Sequence, residues 1–186
     1  LLGPPGSGKS TIGAELGSLG YRWREWDPIL LGRWGTIENF IANKAHALPE
    51  HQQAVAAFIR EPGPPAVFET TGISDAPFLD SLAAEFDLFI VRLDLPLDEA
   101  LRRIAARPGG QHLTDELERN RATWQAFHNL VLPSRPANLI LDTTTLDPTS
   151  AAHHIHQSLT HGSHTEHLAL GTWHLAPGTG HRAPGT

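Results

Sequence analysis

Apolar positions along this chain recur at two spacings, one typical of helices and one typical of strands. In the segment IGAELGSLG, Ile12, Leu16 and Leu19 fall on one helical face, and Gly20 ends the pattern. The next segment, YRWREW, alternates aromatic and charged residues as a short strand does, before the Asp-Pro turn signal at residues 27–28. A helix followed by a strand is therefore predicted near the start of the chain.

Helices and strands continue to alternate along the remainder of the chain. Further helices are predicted over residues 36–60, 74–85, 96–107, 114–130 and 148–159. Further strands are predicted over residues 66–70, 87–95 and 137–141. Pro49 is expected to divide the first of these helices in two. Because parallel neighbours need crossover connections, the alternation predicts an α/β fold with a mostly parallel sheet and helices on both faces.

Composition narrows the class of protein. Hydrophobic residues make up 40% and charged residues 18%, which is typical of a globular domain. The formal charge of -6, from 14 basic and 20 acidic residues, argues against binding to nucleic acid. The chain has no cysteine and no apolar run of about 18 residues, the length that spans a bilayer. These features favour a cytoplasmic protein that does not associate with membranes.

The chain is predicted to contain one domain and a tail. Residues 1–160 carry the alternating pattern, whereas residues 161–186 are rich in Gly, His, Thr and Pro without a sustained period, which predicts a flexible tail. Position 1 is not methionine, and only Leu1 and Leu2 stand before the glycine-rich segment. We therefore expect that several N-terminal residues are missing from this numbering.

The segment GPPGSGKST carries the most specific chemical signal in the sequence. It fits the phosphate-loop pattern G-x-x-x-x-G-K-[ST] at every fixed position and directly precedes a predicted helix. The predicted nucleotide-binding residues of this loop are Gly3, Pro4, Pro5, Gly6, Ser7, Gly8, Lys9, Ser10 and Thr11.

Each part of this loop has a chemical role toward a nucleoside triphosphate. Glycines let backbone N–H groups converge on phosphate oxygens, and the helix N-terminus adds the positive end of its dipole. Lys9 is expected to reach the β- and γ-phosphates, and the Ser10 hydroxyl to bind Mg²⁺. The sequence therefore predicts ATP and Mg²⁺ as cofactors.

Several motifs in succession resemble those of one group of enzymes. These are GPPGSGKST, a strand ending in EWD, AVFETTG, EALRRIAARPGGQHL and LILDTTTLDP. The succession resembles the small P-loop kinases related to shikimate kinase, gluconate kinase and the nucleoside monophosphate kinases, within the P-loop NTPase superfamily. The resemblance covers residues 1–159.

The resemblance implies a three-layer P-loop NTPase fold in which the third strand lies between the first and the second. It implies that Asp27, the second acid of EWD, lies near the hydroxyl group of a phosphoryl acceptor. Glu69, at the end of the strand beside the phosphate loop, would contact either Mg²⁺ or that acceptor.

The resemblance also implies a mobile lid and an adenine-binding segment. Arg103, Arg107 and His112 occupy positions of lid residues, and Asp142 and Thr143 occupy the segment that lines the adenine. The catalytic residues that follow from the motifs together are Lys9, Asp27, Glu69 and Arg107.

Structural roles compete with these assignments. Asp27 precedes proline, and Asp-Pro commonly opens a turn. Arg102, Arg103 and Arg107 could form the solvated face of a helix together with Glu99.

The motifs predict a kinase that transfers the γ-phosphoryl group of ATP to a hydroxyl of a small metabolite or a nucleotide-like acceptor. EWD replaces the D-x-D of shikimate kinases, and the G-F-P-R of monophosphate kinases is missing, so the motifs do not identify the acceptor. The alternatives are a stand-alone ATP-binding protein or ATPase without kinase activity, and a relative that binds nucleotide without turnover. An ATPase strand ending in two successive acids is not found, which favours the kinase.

Overall fold

The computed structural model describes residues 1–109, 112 and 114–165 of the chain. The helices are α1 (Lys9–Ser18), α2 (Asp27–Trp34), α3 (Ile37–Ala42), α4 (Lys44–Arg60), α5 (Ala76–Glu85), α6 (Leu97–Ala106), α7 (Leu117–Ala126) and α8 (Pro148–Thr165). The strands are β1 (Arg22–Trp23), β2 (Ala66–Val67), β3 (Val91–Asp94) and β4 (Leu139–Asp142). None of the helices in these ranges is long and apolar enough to cross a lipid bilayer.

The strands form two short parallel pairs. The extended segment at Leu2, called the Leu2 segment below, lies between them. β1 pairs with β2, and β3 pairs with β4. Leu2 forms parallel bridges to Thr70 on one side and to Arg92 on the other. Its N–H donates to the carbonyl of Val91, and its carbonyl accepts from the N–H of Leu93, both at 2.8 Å. The predicted mixed α/β class is confirmed, although the chain is mostly helical and its strands are short.

Local hydrogen bonding and helix initiation shorten the strands relative to the sequence prediction. Before β3, the N–H of Ile90 donates to the side-chain Oδ1 of Asn138 at 2.7 Å. The predicted strand over residues 21–26 is reduced to β1, because the chain then turns into α2. Asp27 and Pro28 do not form an isolated turn but begin α2, where a proline lacks only an N–H that has no partner within the helix.

The prediction that Pro49 divides a helix is wrong. The break falls instead at Asn43, between α3 and α4, and the Asn43 carbonyl accepts hydrogen bonds from His46 and Ala47, both at 2.9 Å. Pro49 lies within α4. Burial of the apolar face of α4, which includes Val55, offsets the backbone hydrogen bond that proline cannot make.

Two other helices also differ from their predicted limits. The helix predicted over residues 114–130 begins at Leu117, and it ends in a π-helical segment over Phe127–Val131. α8 continues past the predicted domain end at residue 160 and reaches Thr165. The rest of the predicted tail, residues 166–186, lies outside the described residues.

The largest apolar cluster joins α1 and α8 to β3 and β4. Ile12, Leu16, Leu93, Leu141 and Ile155 are all nearly inaccessible to solvent in this cluster. Burial of apolar side chains in such a core is the main source of stability for a domain. Packing of α1 in the cluster also fixes the position of the glycine-rich loop that leads into it.

Gly13 allows α1 to lie directly against Trp23 of β1. A Cβ atom at Gly13 would stand 2.0 Å from Nε1 of Trp23, so no larger residue fits there without movement. This contact and the apolar cluster together position the first turn of α1.

Candidate functional site

The glycine-rich loop joins the Leu2 segment to α1 through backbone conformations that glycine favours. Gly6 and Gly8 have φ angles of 80° and 86°, in the left-handed region. A Cβ atom at Gly6 would also lie 2.6 Å from the carbonyl oxygen of Ala100. Gly8 directly precedes α1 and has no side chain that could cap the first turn of the helix. The backbone N–H groups of that turn are therefore available to an anion.

Lys9 folds back over the loop. Its Nζ donates to the carbonyl oxygens of Gly3 and Pro4 at 2.9 and 3.0 Å. Burial lowers the pKa of Lys9, and the carboxylates of Glu69 and Asp27 oppose this shift. In the same loop, the Ser7 hydroxyl is buried and has no hydrogen-bond partner among the described residues. The loop therefore places two hydrogen-bond donors, the Lys9 ammonium and the Ser7 hydroxyl, close together.

Ser10 and Glu69 form a pair of oxygen ligands beside the loop. The Ser10 hydroxyl donates to Oε2 of Glu69 at 2.9 Å. Burial raises the pKa of Glu69, while Lys9 and the hydrogen bond from Ser10 counteract that shift. Hydroxyl and carboxylate oxygens are the ligands that Mg²⁺ prefers in proteins, so this pair fits the ion.

One cavity of about 910 Å³ brings most of the predicted site residues together. The predicted residues that line it are Pro5, Gly6, Ser7, Gly8, Lys9, Ser10, Thr11, Asp27, Glu69, Arg103, Arg107 and Thr143. Gly3, Pro4 and Asp142 lie outside its lining. Gly3 and Pro4 instead hold Lys9 through their carbonyl groups.

Asp142 shapes the turn after β4 and does not line the cavity. Its Oδ1 accepts hydrogen bonds from the backbone N–H of Thr144 at 2.8 Å and from the Thr144 hydroxyl. The Thr143 hydroxyl donates to the carbonyl of Asp94 at 3.2 Å. The turn is thereby held against β3, with Thr143 and Thr144 at the cavity wall.

Arg103 is fixed at the cavity by two acceptors. Its Nε donates to Glu99 at 2.7 Å, and its guanidinium also donates to the carbonyl of Thr143 at 2.6 Å. Hydrogen bonds from Arg102 and Arg103 lower the pKa of Glu99 to about 2. Arg102 is exposed and does not line the cavity, so the solvated-face interpretation applies to Arg102 and not to Arg103.

Arg107 and His112 approach the cavity from the predicted lid. Arg107 directly follows α6 and donates to Asp115 at 3.1 Å and to the carbonyl of Thr114 at 2.7 Å. His112 Nδ1 lies 3.9 Å from Oδ2 of Asp27. The predicted lid residue His112 therefore lies beside the acid at the start of α2.

The polar residues of the cavity wall that sequence reasoning missed include His51 and Asp75. Asp75 stands before α5, and its carboxylate accepts from the Thr70 hydroxyl at 2.5 Å and from the Gln52 side chain at 3.1 Å. The sequence Asp-Ala-Pro does mark a helix start, but nothing in the sequence places it at the cavity.

His51 packs edge-on against Trp26, with ring centroids 5.3 Å apart. Its Nδ1 is buried without a hydrogen-bond partner among the described residues. Burial lowers the pKa of His51, and Asp75 and Asp27 oppose the shift. No sequence signal distinguishes this histidine from the others, because its surroundings come from distant segments. Within the described ranges, no three His, Asp or Glu side chains form a group that could hold a metal ion.

Comparison with known proteins supplies no family. No protein-family model matches the chain, and a search of curated proteins finds no significant match. We therefore infer function from the geometry of the cavity, in which a glycine-rich loop, a lysine, a hydroxyl and several carboxylates line one continuous space.

Proposed function

We propose that this chain is an ATP-dependent phosphotransferase that transfers the γ-phosphoryl group of ATP to a hydroxyl of a small acceptor. The observation that carries the proposal is the shared cavity, which joins the phosphate loop with Lys9 to the carboxylates of Asp27 and Glu69. A volume of about 910 Å³ is large enough for a nucleotide and a small second substrate.

The order of the extended segments supports a three-layer P-loop NTPase fold. In space the order is β1, β2, the Leu2 segment, β3 and β4. Along the chain, the Leu2 segment comes first, β1 second and β2 third. β2 thus lies between the other two, as in the kinases that the motifs resemble. The loop follows the central segment, at the carboxyl end where α/β proteins bind ligands.

The loop, Lys9 and Arg103 form the ATP side of the cavity in this proposal. Free N–H groups at the start of α1 and the Lys9 ammonium bind the phosphates. Arg103 and Thr143 line the same cavity and would contact the base and ribose. Ser10 and Glu69 would hold Mg²⁺, which supplies positive charge to the transferred phosphoryl group.

Asp27 is the residue that orients the acceptor. In the transfer, the acceptor oxygen bonds to the γ-phosphorus, and the bond from that phosphorus to the bridging oxygen breaks, leaving ADP. The hydroxyl proton passes to Asp27 late in the reaction. Arg107 and His112 line the same cavity, and His112, which lies beside Asp27, would supply a hydrogen-bond donor there.

The test is a panel of sugars, sugar acids, nucleosides and amino alcohols, each scored for ADP release with Mg²⁺-ATP. We expect at least one alcohol to raise ADP release above the rate without acceptor. ADP release that no acceptor changes would identify an ATPase instead. A protein whose melting temperature Mg²⁺-ATP does not raise would contradict nucleotide binding altogether.

A further inference from the structure

The cavity lining that comes from α2, α4 and the segments beside them has a distinctive chemical composition. We call it the acceptor wall, meaning the cavity-lining residues between positions 26 and 75. Its apolar members include Leu30, Phe40 and Phe68. Its charged members are Asp27, Glu69 and Asp75, and no lysine or arginine of this range lines the cavity.

The basic residues around the cavity have other positions or partners. Lys9 and Arg103 belong to the ATP side. Arg107 pairs with Asp115, and Arg119 pairs with one acidic side chain of α3 and one directly before α7, so both already have carboxylate partners. Lys44, next to the acceptor wall, donates to the Ser74 hydroxyl at 2.9 Å and does not line the cavity.

Asp75 is a half-buried carboxylate without a cationic partner among the described residues. Both hydrogen bonds that it accepts come from neutral groups, the Thr70 hydroxyl and the Gln52 amide. Within the part of the chain that the structure describes, no lysine, arginine or histidine nitrogen lies within ion-pair distance of it. A carboxylate in such a wall attracts a cation and repels an anion.

His51 does not neutralise this acidic wall. Burial lowers the pKa of His51 and thereby favours the neutral form of its ring. Its Nδ1 is buried, which leaves Nε2 as the nitrogen through which the ring can bind a group in the cavity. Trp26, which is only 4% exposed, holds the ring edge-on.

We propose that the acceptor is an amino alcohol with an apolar body, rather than a nucleotide or a sugar acid. The inference rests on the proposed phosphotransferase. Asp75 binds the ammonium group, the apolar members of the wall contact the body, and Asp27 receives the hydroxyl. A carboxylate or phosphate on the acceptor would instead face the carboxylates of Asp27 and Asp75.

Matched compounds test the charge preference. One set is 2-amino-1-phenylethanol, 1-phenylethane-1,2-diol and mandelate, which share a ring and a benzylic hydroxyl but carry an ammonium, a hydroxyl or a carboxylate. A second set is glucosamine, glucose and glucuronate. Binding is measured by calorimetry with Mg²⁺ and a non-hydrolysable ATP analogue, and transfer is measured by ADP release and phosphorus NMR of the ester. We expect the amine of the phenyl set to bind at least about tenfold more tightly than its diol, and the acid to bind weakest.

Asp75→Asn tests the residue, with Asp98→Asn on the exposed start of α6 as the matched control. We expect Asp75→Asn to weaken amine binding about 10- to 100-fold and to leave diol binding within about twofold. Gln52→Ala, which removes one neutral donor and keeps the charge, should preserve the preference for the amine. Equal weakening of amine and diol by Asp75→Asn would reduce Asp75 to a structural role and overturn the proposal.

The two proposals fail in different ways. Transfer that favours mandelate or glucuronate overturns the amino-alcohol inference and leaves the phosphotransferase standing. Amine binding that depends on Asp75 but never yields a phosphate ester supports the ligand class and removes the phosphotransferase. Absence of binding by all six compounds overturns the inference.

Discussion

The Ser10 hydroxyl donates a 2.9 Å hydrogen bond to Oε2 of Glu69, although 59 residues separate them along the chain. Leu2 makes this contact possible, because its bridge to Thr70 places the end of the β2 segment beside the loop. The first turn of α1 and the segment after β2 thus bring a hydroxyl and a carboxylate together.

Lys9→Ala should lower the rate of phosphoryl transfer by roughly two to three orders of magnitude, because the phosphate-directed cation is lost. The melting temperature without nucleotide should change little, since the Lys9 ammonium bonds only to two loop carbonyls. Lys44→Ala, on the exposed surface outside the cavity, is the control. Undiminished stabilisation of Lys9→Ala by Mg²⁺-ATP would sink the assignment of the loop as the ATP site.

Asp27→Asn should keep ATP binding and lower acceptor-dependent transfer by roughly two to four orders of magnitude, the weight of a positioned general base. Asparagine is nearly isosteric, and it can begin α2 as aspartate does. Transfer kinetics and nucleotide titrations are measured on the same preparation. Near-normal transfer would show that Asp27 only initiates the helix, whereas weakened ATP binding would point to a role at Mg²⁺.

Glu69→Gln should raise the Mg²⁺ concentration needed for half-maximal activity by about 10- to 100-fold, because an anionic oxygen is replaced by a neutral amide. The Ser10 hydroxyl can still donate to the amide oxygen, so the fold should be retained. Glu61→Gln, at an exposed position after α4, is the matched control. An unchanged Mg²⁺ dependence would remove Glu69 from the metal site.

His51 should contribute a stability that is lost at acidic pH. Burial lowers the pKa of His51 in the folded protein below about 6.5, its value in the unfolded chain. At a pH between these two pKa values, the unfolded chain therefore binds a proton that the folded protein does not bind. The contribution is therefore complete above the unfolded pKa and declines as pH falls toward the folded pKa. The loss of melting temperature from about pH 7.5 to about pH 5.5 should be smaller in His51→Gln than in wild type.

His154→Gln, on the exposed face of α8, is the control for the pH experiment and should follow the wild type. Identical pH dependence of His51→Gln and wild type would contradict the role assigned to burial of His51.

Two glycines of α1 should respond differently to substitution by alanine. Gly13→Ala should destabilise the protein by about 1–3 kcal/mol, because the new Cβ collides with the Trp23 indole. At Gly17 the nearest atom would be Trp23 Cβ at 3.7 Å, an ordinary contact, so Gly17→Ala should be neutral or stabilise the helix by up to about 1 kcal/mol. Denaturant unfolding measures both. Similar effects at the two positions would contradict the close packing of α1 on β1.

Features that depend on neighbouring residues could be predicted from the amino-acid sequence. The glycine-rich loop could be recognised because Gly6 and Gly8 adopt φ angles that other residues avoid, and because Lys9 begins a helix directly after them. The alternation of helices and strands and the α/β class also follow from local periodicity. Asp27 and Glu69 were predicted as site residues from their motifs and the ends of the strands, and both line the cavity.

Contacts between segments that are distant along the chain could be seen only in the tertiary structure. Pro49 remains within α4 because packing of a buried face outweighs a local helix-breaking preference. The hydrogen bond that Asp142 accepts from the N–H of Thr144 was not predicted from the sequence. His51 and Asp75 belong to the cavity only because α4 packs beside the segment after β2, and no periodicity encodes such a meeting. Pairwise geometry between remote residues arises from the packing of the whole core, which a local pattern does not contain.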